Sequence, residues 1–460
     1  MTVAVRAGEH ALVLGASMSG LLAARVLADA YDRVTVVERD VLPVGAEHRR
    51  GVPQDRHPHL LLPGGARVMD DLLPGLLDDL AAAGSAVLTE DYSKFHFDLN
   101  GRVVAKTGPP KQPLTFHLQT RPFLEARVRQ RVRELPNVTM RDGHVVLDLA
   151  ATNGGRVTGA QVAPRAGGDG EVIAADLVVD ATGRAGRTPA FLTRHGFDKP
   201  SEDRIAARVT YQAQLLHWPI DTIPEVLFGV DATVERPIAI NIIPQENDTA
   251  MFWLYGMVGR EPPTTLDAMI EWVADLCPPH VMAALRNATP IGPTSQHRIP
   301  VAVWRRFDHM KTFPEGLVVI GDAICVFNPT YGQGMTVAAL QARSLQACLT
   351  HGDTDLARRF FRASAKPISL AWSFAAAGDL AYPEAEGKRT VQFRIGNRLN
   401  NLVIAAATTD VEVYAKVMKV SSFVEPPSAF LAPTYLARLL RGNLRARKIA
   451  ANQRSRKAWA

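Results

Sequence analysis

Gly15-Ala-Ser-Met-Ser-Gly20 stands between an apolar strand, Ala11 to Leu14, and a helix-forming run that begins at Leu21, and Glu38 closes a second apolar strand beyond it. Strand, glycine turn, helix and strand make a βαβ unit with the spacing of a dinucleotide fingerprint. Each residue type has a task there. Gly15 permits the tight turn, and Gly20 lets the helix approach the strand. The helix start offers free N–H groups and partial positive charge to a pyrophosphate, and Glu38 can accept from ribose hydroxyls. Ser17 replaces the middle glycine, so its side chain crowds the point where the backbone nears the phosphate. Met18, Ser19 and Arg39 join the same candidate contact set. An ordinary tight strand-to-helix turn is the weaker alternative, because it leaves the strand-end carboxylate unexplained.

A second constellation lies far downstream, Val318-Val-Ile-Gly321-Asp322-Ala-Ile-Cys325-Val-Phe-Asn328-Pro329-Thr330-Tyr-Gly332-Gln333-Gly334-Met335. A carboxylate at the end of a buried strand can hold a polyhydroxylated chain, and a Gly-Gln-Gly turn at a helix start directs N–H groups and the helix dipole at negative charge. A nicotinamide dehydrogenase has no use for this second signal.

Together the two constellations resemble the FAD-dependent flavoprotein monooxygenases of the para-hydroxybenzoate hydroxylase type (group A). The nearest branch is that of the actinobacterial polyene epoxidases, and the likeness extends across most of residues 11–350. The resemblance implies FAD as cofactor, with Glu38 on the adenosine ribose and Asp322, after Gly321, on the ribityl hydroxyls. Gly332, Gln333, Gly334 and Met335 would stand at the pyrimidine edge of the ring. It brings Arg49, within Arg49-Arg-Gly-Val-Pro-Gln-Asp-Arg-His-Pro-His, and Arg121, within Thr120-Arg-Pro-Phe-Leu-Glu, to the cofactor. Thr182 and Gly183 join the cofactor set, and Asn328, Pro329 and Thr330 line the pocket beside the reactive face. The chemistry implied is transfer of one oxygen atom from O2, through a flavin C4a-hydroperoxide, to an apolar, biosynthetic small molecule by epoxidation or hydroxylation. The cofactor carries that chemistry, so no side-chain nucleophile is required.

One departure bears on electron supply. The family's D-x-x-V-x-A-D-G motif, tied to both FAD and NAD(P)H, reads here Asp176-Leu-Val-Val179-Asp-Ala181-Thr182-Gly183. NADPH or NADH is the expected donor, and the threonine leaves room for a separate flavin reductase. Two other activities share the fold: an FAD-dependent prenyl-type reductase, and a cyclase that keeps FAD as a scaffold without redox chemistry. The halogenase motif W-x-W-x-I-P is absent from the sequence.

The elements that must position these residues follow from periodicity and turn signals. Broken helices are expected over 60–83, a hairpin around Asn100-Gly101 over 92–106, and an amphipathic helix over 121–135. Three strands near 138–147, 156–163 and 171–179 read as a small meander. Strands over 210–217, 238–243 and 251–258 with helices over 266–277 and 281–285 suggest a second domain. A buried strand at 316–322, a helix over 333–350 and a mainly helical 355–460 complete the reading. The fold class is α/β: a Rossmann-like FAD-binding domain of the glutathione-reductase type, with an inserted β-sheet substrate domain and a helical C-terminal region. The boundaries place the FAD-binding domain at 1–91, 120–195 and 301–350. The substrate hairpin takes 92–119, the substrate sheet 196–300, and the helical region with its basic tail 351–460.

Composition sets outer bounds. The chain has 460 residues, 47% hydrophobic and 21% charged, which excludes disorder and coiled coil. Cys277, Cys325 and Cys348 are too scattered for a disulfide scaffold or a metal site, and Cys325 reads as a buried apolar residue. No signal peptide and no long apolar run are evident, so a soluble, cytoplasmic protein is expected. The net charge of +6 is local: eight basic residues and no acidic one lie between Ala437 and Ala460. A nucleic-acid-binding field is thereby excluded. Leu436, Leu439, Leu440 and Leu444 are expected to pack that helix on the body with its basic face in solvent, ahead of a reductase-docking or membrane-surface role. His57, His59, His96 and His117 read as structural rather than acid–base groups. On the hairpin, Phe95, Phe97 and Leu99 form an apolar face that suits either a substrate roof or ordinary packing.

Overall fold

The computed structural model describes residues 6–153 and 155–458; side chains from Asn452 onward, including Arg454, Arg456 and Lys457 of the basic tail, lie outside the described set, as do the N-terminal five residues and Gly154. A five-stranded parallel sheet runs in the order Leu317–Val319, Leu177–Asp180, Gly8–Leu14, Tyr31–Val37, Val138–Arg141. Its strands are apolar on both faces because both are covered: helices lie on one, and on the other Leu12, Leu14, Val37 and Val178 pack against Val157, Ala160 and Val162 of a small antiparallel sheet. Met18–Ala28, Arg121–Arg133 and Gly334–Leu349 pack on one side through Leu21, Leu22, Leu124, Val128, Ala339 and Leu345.

The expected meander divides between two sheets. Val138–Arg141 pairs with Tyr31–Val37 in the parallel sheet, the chain turns at Asp142-Gly143, and His144–Ala151 pairs with Val157–Pro164 in a separate three-stranded antiparallel sheet. The segment 171–179 divides likewise: Glu171–Ala174 ends the small sheet and Leu177–Asp180 enters the parallel one. Continuous β-propensity hides such a change of partner, since propensity records pleated burial and not which sheet provides it.

A seven-stranded sheet has the order Thr289–Ile299, Val209–His217, Thr249–Gly256, Ile238–Pro244, Leu227–Val230, Phe95–Leu99, Arg102–Val103. Two of its strands escape the sequence reading. Thr289–Ile299 carries Pro290 and Pro293 and is tolerated as a strand because it pairs on one side only. Leu227–Val230 is four residues long, pairing parallel to the hairpin strand Phe95–Leu99. One face of the sheet packs Leu216, Ile240, Phe252 and Leu254 on the helices Leu266–Trp272 and Pro279–Asn287. The opposite face presents Tyr211, Trp253, Tyr255 and Ile299 to Phe116, Leu380 and Tyr382. The hairpin's Phe95 and Phe97 pack with Tyr92, Val411 and Tyr414, so its apolar face is ordinary core and not a substrate roof.

The C-terminal region consists of the helices Leu356–Asp379, Val391–Ala407, Val411–Ser421 and Pro433–Ala458. The expectation for the last one needs correction. Leu439 packs inward with Val413 and Tyr435, whereas Leu436, Leu440 and Leu444 stand exposed.

Candidate functional site

A groove of about 550 Å3 runs along the C-terminal ends of the parallel strands, where open α/β sheets bind their ligands. Gly15 takes φ 105 at the end of the first strand. A Cβ on Gly20 would lie 1.9 Å from Gly15 O, so only glycine lets this helix close on the turn. Gly15, Ser17, Met18 and Ser19 line the groove; Gly20 lies behind them as packing. No side chain caps the Met18–Ala28 helix, and no acidic residue stands in its first turn. Its N–H groups and dipole are left to a ligand.

Glu38 and Arg39 line the same groove. Glu38 Oε2 accepts from Ala16 N at 2.8 Å and Oε1 from Asp40 N at 3.1 Å, which fixes the carboxylate while leaving lone pairs for ribose hydroxyls. Arg49 does not line the groove. Its guanidinium lies beneath, 2.6 Å from Glu125 Oε1 and 3.4 Å from Glu38 Oε2. Burial alone would lower its pKa, but Glu125 and Glu38 outweigh burial and raise it. Arg121 lines the groove, and its Nη2 donates to Ser17 Oγ at 2.9 Å and to Glu125 Oε2 at 3.2 Å. Glu125 thus knits Arg49, Arg121 and Ser17 together, a role the sequence reading misses. The i, i+4 spacing of Arg121 and Glu125 on one helix face is the signal that could have shown it.

Beside the first glycine turn, Thr182, Gly183, Gly321 and Asp322 line the groove as well. Thr182 donates through N to Asp180 Oδ1 at 3.0 Å and through its hydroxyl to the same oxygen, so the threonine of the departing motif holds its own turn. The Asp322 carboxylate is open to the groove yet ringed by protein; that desolvation raises its pKa, opposed by Arg121 and Arg184. Gly332, Gly334 and Met335 line the next stretch, where the Gly334–Leu349 helix begins with no side-chain cap and no acid in its first turn. Gln333 points away: its Nε2 donates to Ser421 O at 3.2 Å. Two uncapped helix ends, flanking arginines and strand-end carboxylates are the donor set that a dinucleotide flavin needs, and FAD fits these residues.

Asn328 and Pro329 line the groove, while Thr330 sits just behind. Tyr211 of the seven-stranded sheet donates to Asn328 Oδ1 and lies 2.7 Å from Thr330 Oγ1. Asn328 Nδ2 donates to Asp379 Oδ1 at 2.7 Å, and the Tyr331 hydroxyl donates to the same oxygen at 2.9 Å. Asp379 Oδ2 is buried with no partner among the described residues, and burial pushes this carboxyl up to about 6. Neither Tyr211 nor Asp379 carries a sequence signal, because both reach the loop from elements distant in the chain.

Burial and His297 push His57 down to about 3, and burial and Arg121 push His59 down to about 4. Both are neutral at pH 7, as is His297, lowered by burial. His59 and His297 line the groove as uncharged hydrogen-bonding groups; His96 stacks on Phe228 and His117 lies in the strand Thr115–Leu118. Cys325 is buried outside the groove, with its thiol pKa raised by burial. Among the described residues no group of side chains could hold a metal ion.

The parallel sheet, the paired helix ends and the second sheet closing over the loop define the FAD-binding fold of a flavoprotein. Comparison with known proteins agrees. An FAD binding domain model matches residues 85–210, and a squalene epoxidase model matches residues 240–359. The protein Rv3254 of Mycobacterium tuberculosis is 36% identical over 95% of this chain and 94% of its own length. A kynurenine 3-monooxygenase of Salinispora tropica is 26% identical over 79% of this chain and 77% of its own. The structure of p-nitrophenol 4-monooxygenase from Pseudomonas putida superposes with a TM-score of 0.61 at 18% identity, covering 92% of this chain and all of that one, and so shares the fold. The chain belongs to the family of Rv3254, and its likeness to FAD-dependent monooxygenases supports an FAD-dependent oxidoreductase.

Proposed function

We propose that the protein transfers one oxygen atom of O2 to an apolar small molecule, epoxidising a double bond or hydroxylating a carbon. Bound FAD, once reduced, supplies the oxygen-activating chemistry. The observation that carries the reading is a shared wall: Leu60 and Ile299 line the groove that suits FAD and also pack into the apolar cluster of Tyr211, Trp253, Tyr255, Leu380 and Tyr382. An apolar substrate in the groove beside Asn328 and Pro329 would lie against this wall, where apolar side chains help to exclude water. The segment similar to squalene epoxidases, 240–359, includes Trp253, Ile299 and that loop, which favours a double bond as the acceptor. The uncapped Gly334–Leu349 helix stabilises negative charge on the reduced ring. Asp322 holds the ribityl chain and Glu38 the adenosine ribose. NADPH or NADH is the ultimate reductant, directly or through a separate flavin reductase, since Thr182 replaces the acidic residue linked to the nicotinamide.

The test uses the purified flavoprotein, 18O2, and a panel of linear terpenoid polyenes including squalene, with NADPH, NADH or a flavin reductase as electron source. Product carrying one 18O atom supports the reading. Product formed anaerobically with oxidised flavin would overturn it in favour of a non-redox cyclase, and saturated product without 18O in favour of a reductase.

A further inference from the structure

Val391, Ile395, Leu399 and Leu402 recur along one face of the Val391–Ala407 helix and are 71%, 54%, 52% and 41% exposed. Leu436, Leu440 and Leu444 repeat every fourth residue on the Pro433–Ala458 helix at 41%, 68% and 59%. The two stripes meet where Leu402 O accepts from Asn443 Nδ2 at 2.9 Å; a Cβ on Gly442 would stand 2.8 Å from Ala406 Cβ, so the helices are in contact there. Single exposed leucines need no explanation, but seven apolar side chains on two touching helices do.

Charge narrows the choice of occupant. From Lys388 to Thr409 the chain has four basic residues and no acidic one, and from Pro433 to Ala460 eight basic and no acidic. Arg394, Arg398, Arg441, Arg445, Arg447 and Lys448 are exposed beside the apolar stripes. A second copy related by a two-fold axis would set this positive face against itself. An anionic bilayer suits both features at once: leucines enter the acyl boundary while arginines meet phosphates. No helix among the described residues is long and apolar enough to cross a membrane, so the contact is one of lying on the surface. The Val391–Ala407 helix also carries Phe393, which packs against the apolar cluster beside the groove.

We propose that this apolar and basic face of the Val391–Ala407 and Pro433–Ala458 helices docks the protein on a membrane surface rich in anionic lipid. The inference rests on exposure and charge and stands whether or not the proposed oxygen transfer is correct.

Flotation of the full flavoprotein with phosphatidylcholine vesicles, with and without phosphatidylglycerol, tests it. The protein floats with the phosphatidylglycerol vesicles, and about tenfold less is recovered with phosphatidylcholine alone or at high salt. A Leu399→Glu, Leu440→Glu double variant and an Arg441→Glu, Arg445→Glu double variant each lose binding by about tenfold or more. All four positions are exposed, so flavin content and melting temperature report unchanged folding; Leu399→Gln with Leu440→Gln replaces any glutamate variant that loses its flavin. Equal recovery with and without phosphatidylglycerol overturns the proposal, as does binding that survives both double variants. So does a dimer in light scattering that the leucine variants dissociate, which would assign the face to a second copy.

Discussion

Ser17 Oγ donates to Glu125 Oε2 across 3.2 Å, joining the first glycine turn to the Arg121–Arg133 helix. Ser17 Oγ in turn accepts from Arg121 Nη2 at 2.9 Å. The residue that departs from the dinucleotide fingerprint is therefore a bridge between groove floor and wall, and its hydroxyl is turned from the phosphate site toward a buried charge cluster.

Restoring the fingerprint should accordingly do harm. Ser17→Gly removes a hydroxyl bonded to two charged groups and is expected to lower stability by about 1–3 kcal/mol, while FAD is retained. Denaturant unfolding of the two proteins decides; a stability equal to or above that of the natural chain would show that the bridge contributes nothing.

Glu125 is the centre of that cluster, with Arg49, Arg121 and Arg129 all within ion-pair range of its carboxylate. Glu125→Ala leaves three buried cations without their shared partner and should cost about 3–5 kcal/mol. Glu125→Gln preserves shape and an acceptor and should cost less. The ordering of the two melting temperatures is the check, and an alanine variant as stable as the glutamine one would refute the charge argument.

The sequence makes the nucleotide half of the site legible because its constraints are local. Gly15, Gly20 and Glu38 are dictated by one βαβ turn, and Asp322 and Gly334 by one strand-to-helix connection. The division of 138–147 and 171–179 between two sheets is not legible, since adjacent residues pair with strands from distant parts of the chain. For the same reason Tyr211 and Asp379 are invisible in sequence: they meet at Asn328 from the inserted sheet and from the end of a C-terminal helix. Leu436, Leu440 and Leu444 mislead in the opposite way. Amphipathic periodicity identifies an apolar face but does not say what covers it.

Asp322 offers the sharpest test of the cofactor contacts. It lines the groove just beyond the Leu317–Val319 strand, and the preceding Gly321 packs against Ser19 of the first helix. Asp322→Ala should weaken FAD retention by about ten- to a hundredfold, the range of one or two charge-assisted hydrogen bonds. Flavin-to-protein absorbance after gel filtration measures it, and unchanged retention would mean that the ribityl chain is held elsewhere.

Asp379 should leave a signature in the pH dependence of stability. Its carboxyl is pushed up to about 6 by burial, against the lowering effect of hydrogen bonds from Asn328 and Tyr331. The folded state therefore binds this proton more tightly than the unfolded chain, whose aspartates titrate near 4. The stabilisation is fully present below about pH 4 and is lost as pH rises through about 6. A shift of that size corresponds to roughly 2–3 kcal/mol. Asp379→Asn keeps an acceptor for Asn328 but does not titrate, so the natural chain should lose about that much relative to the variant between pH 4 and pH 7. Urea unfolding of both proteins across this window measures the difference. Parallel profiles would show that Asp379 does not change its charge there, and that the Asn328 loop rests on a carboxylate ionised throughout.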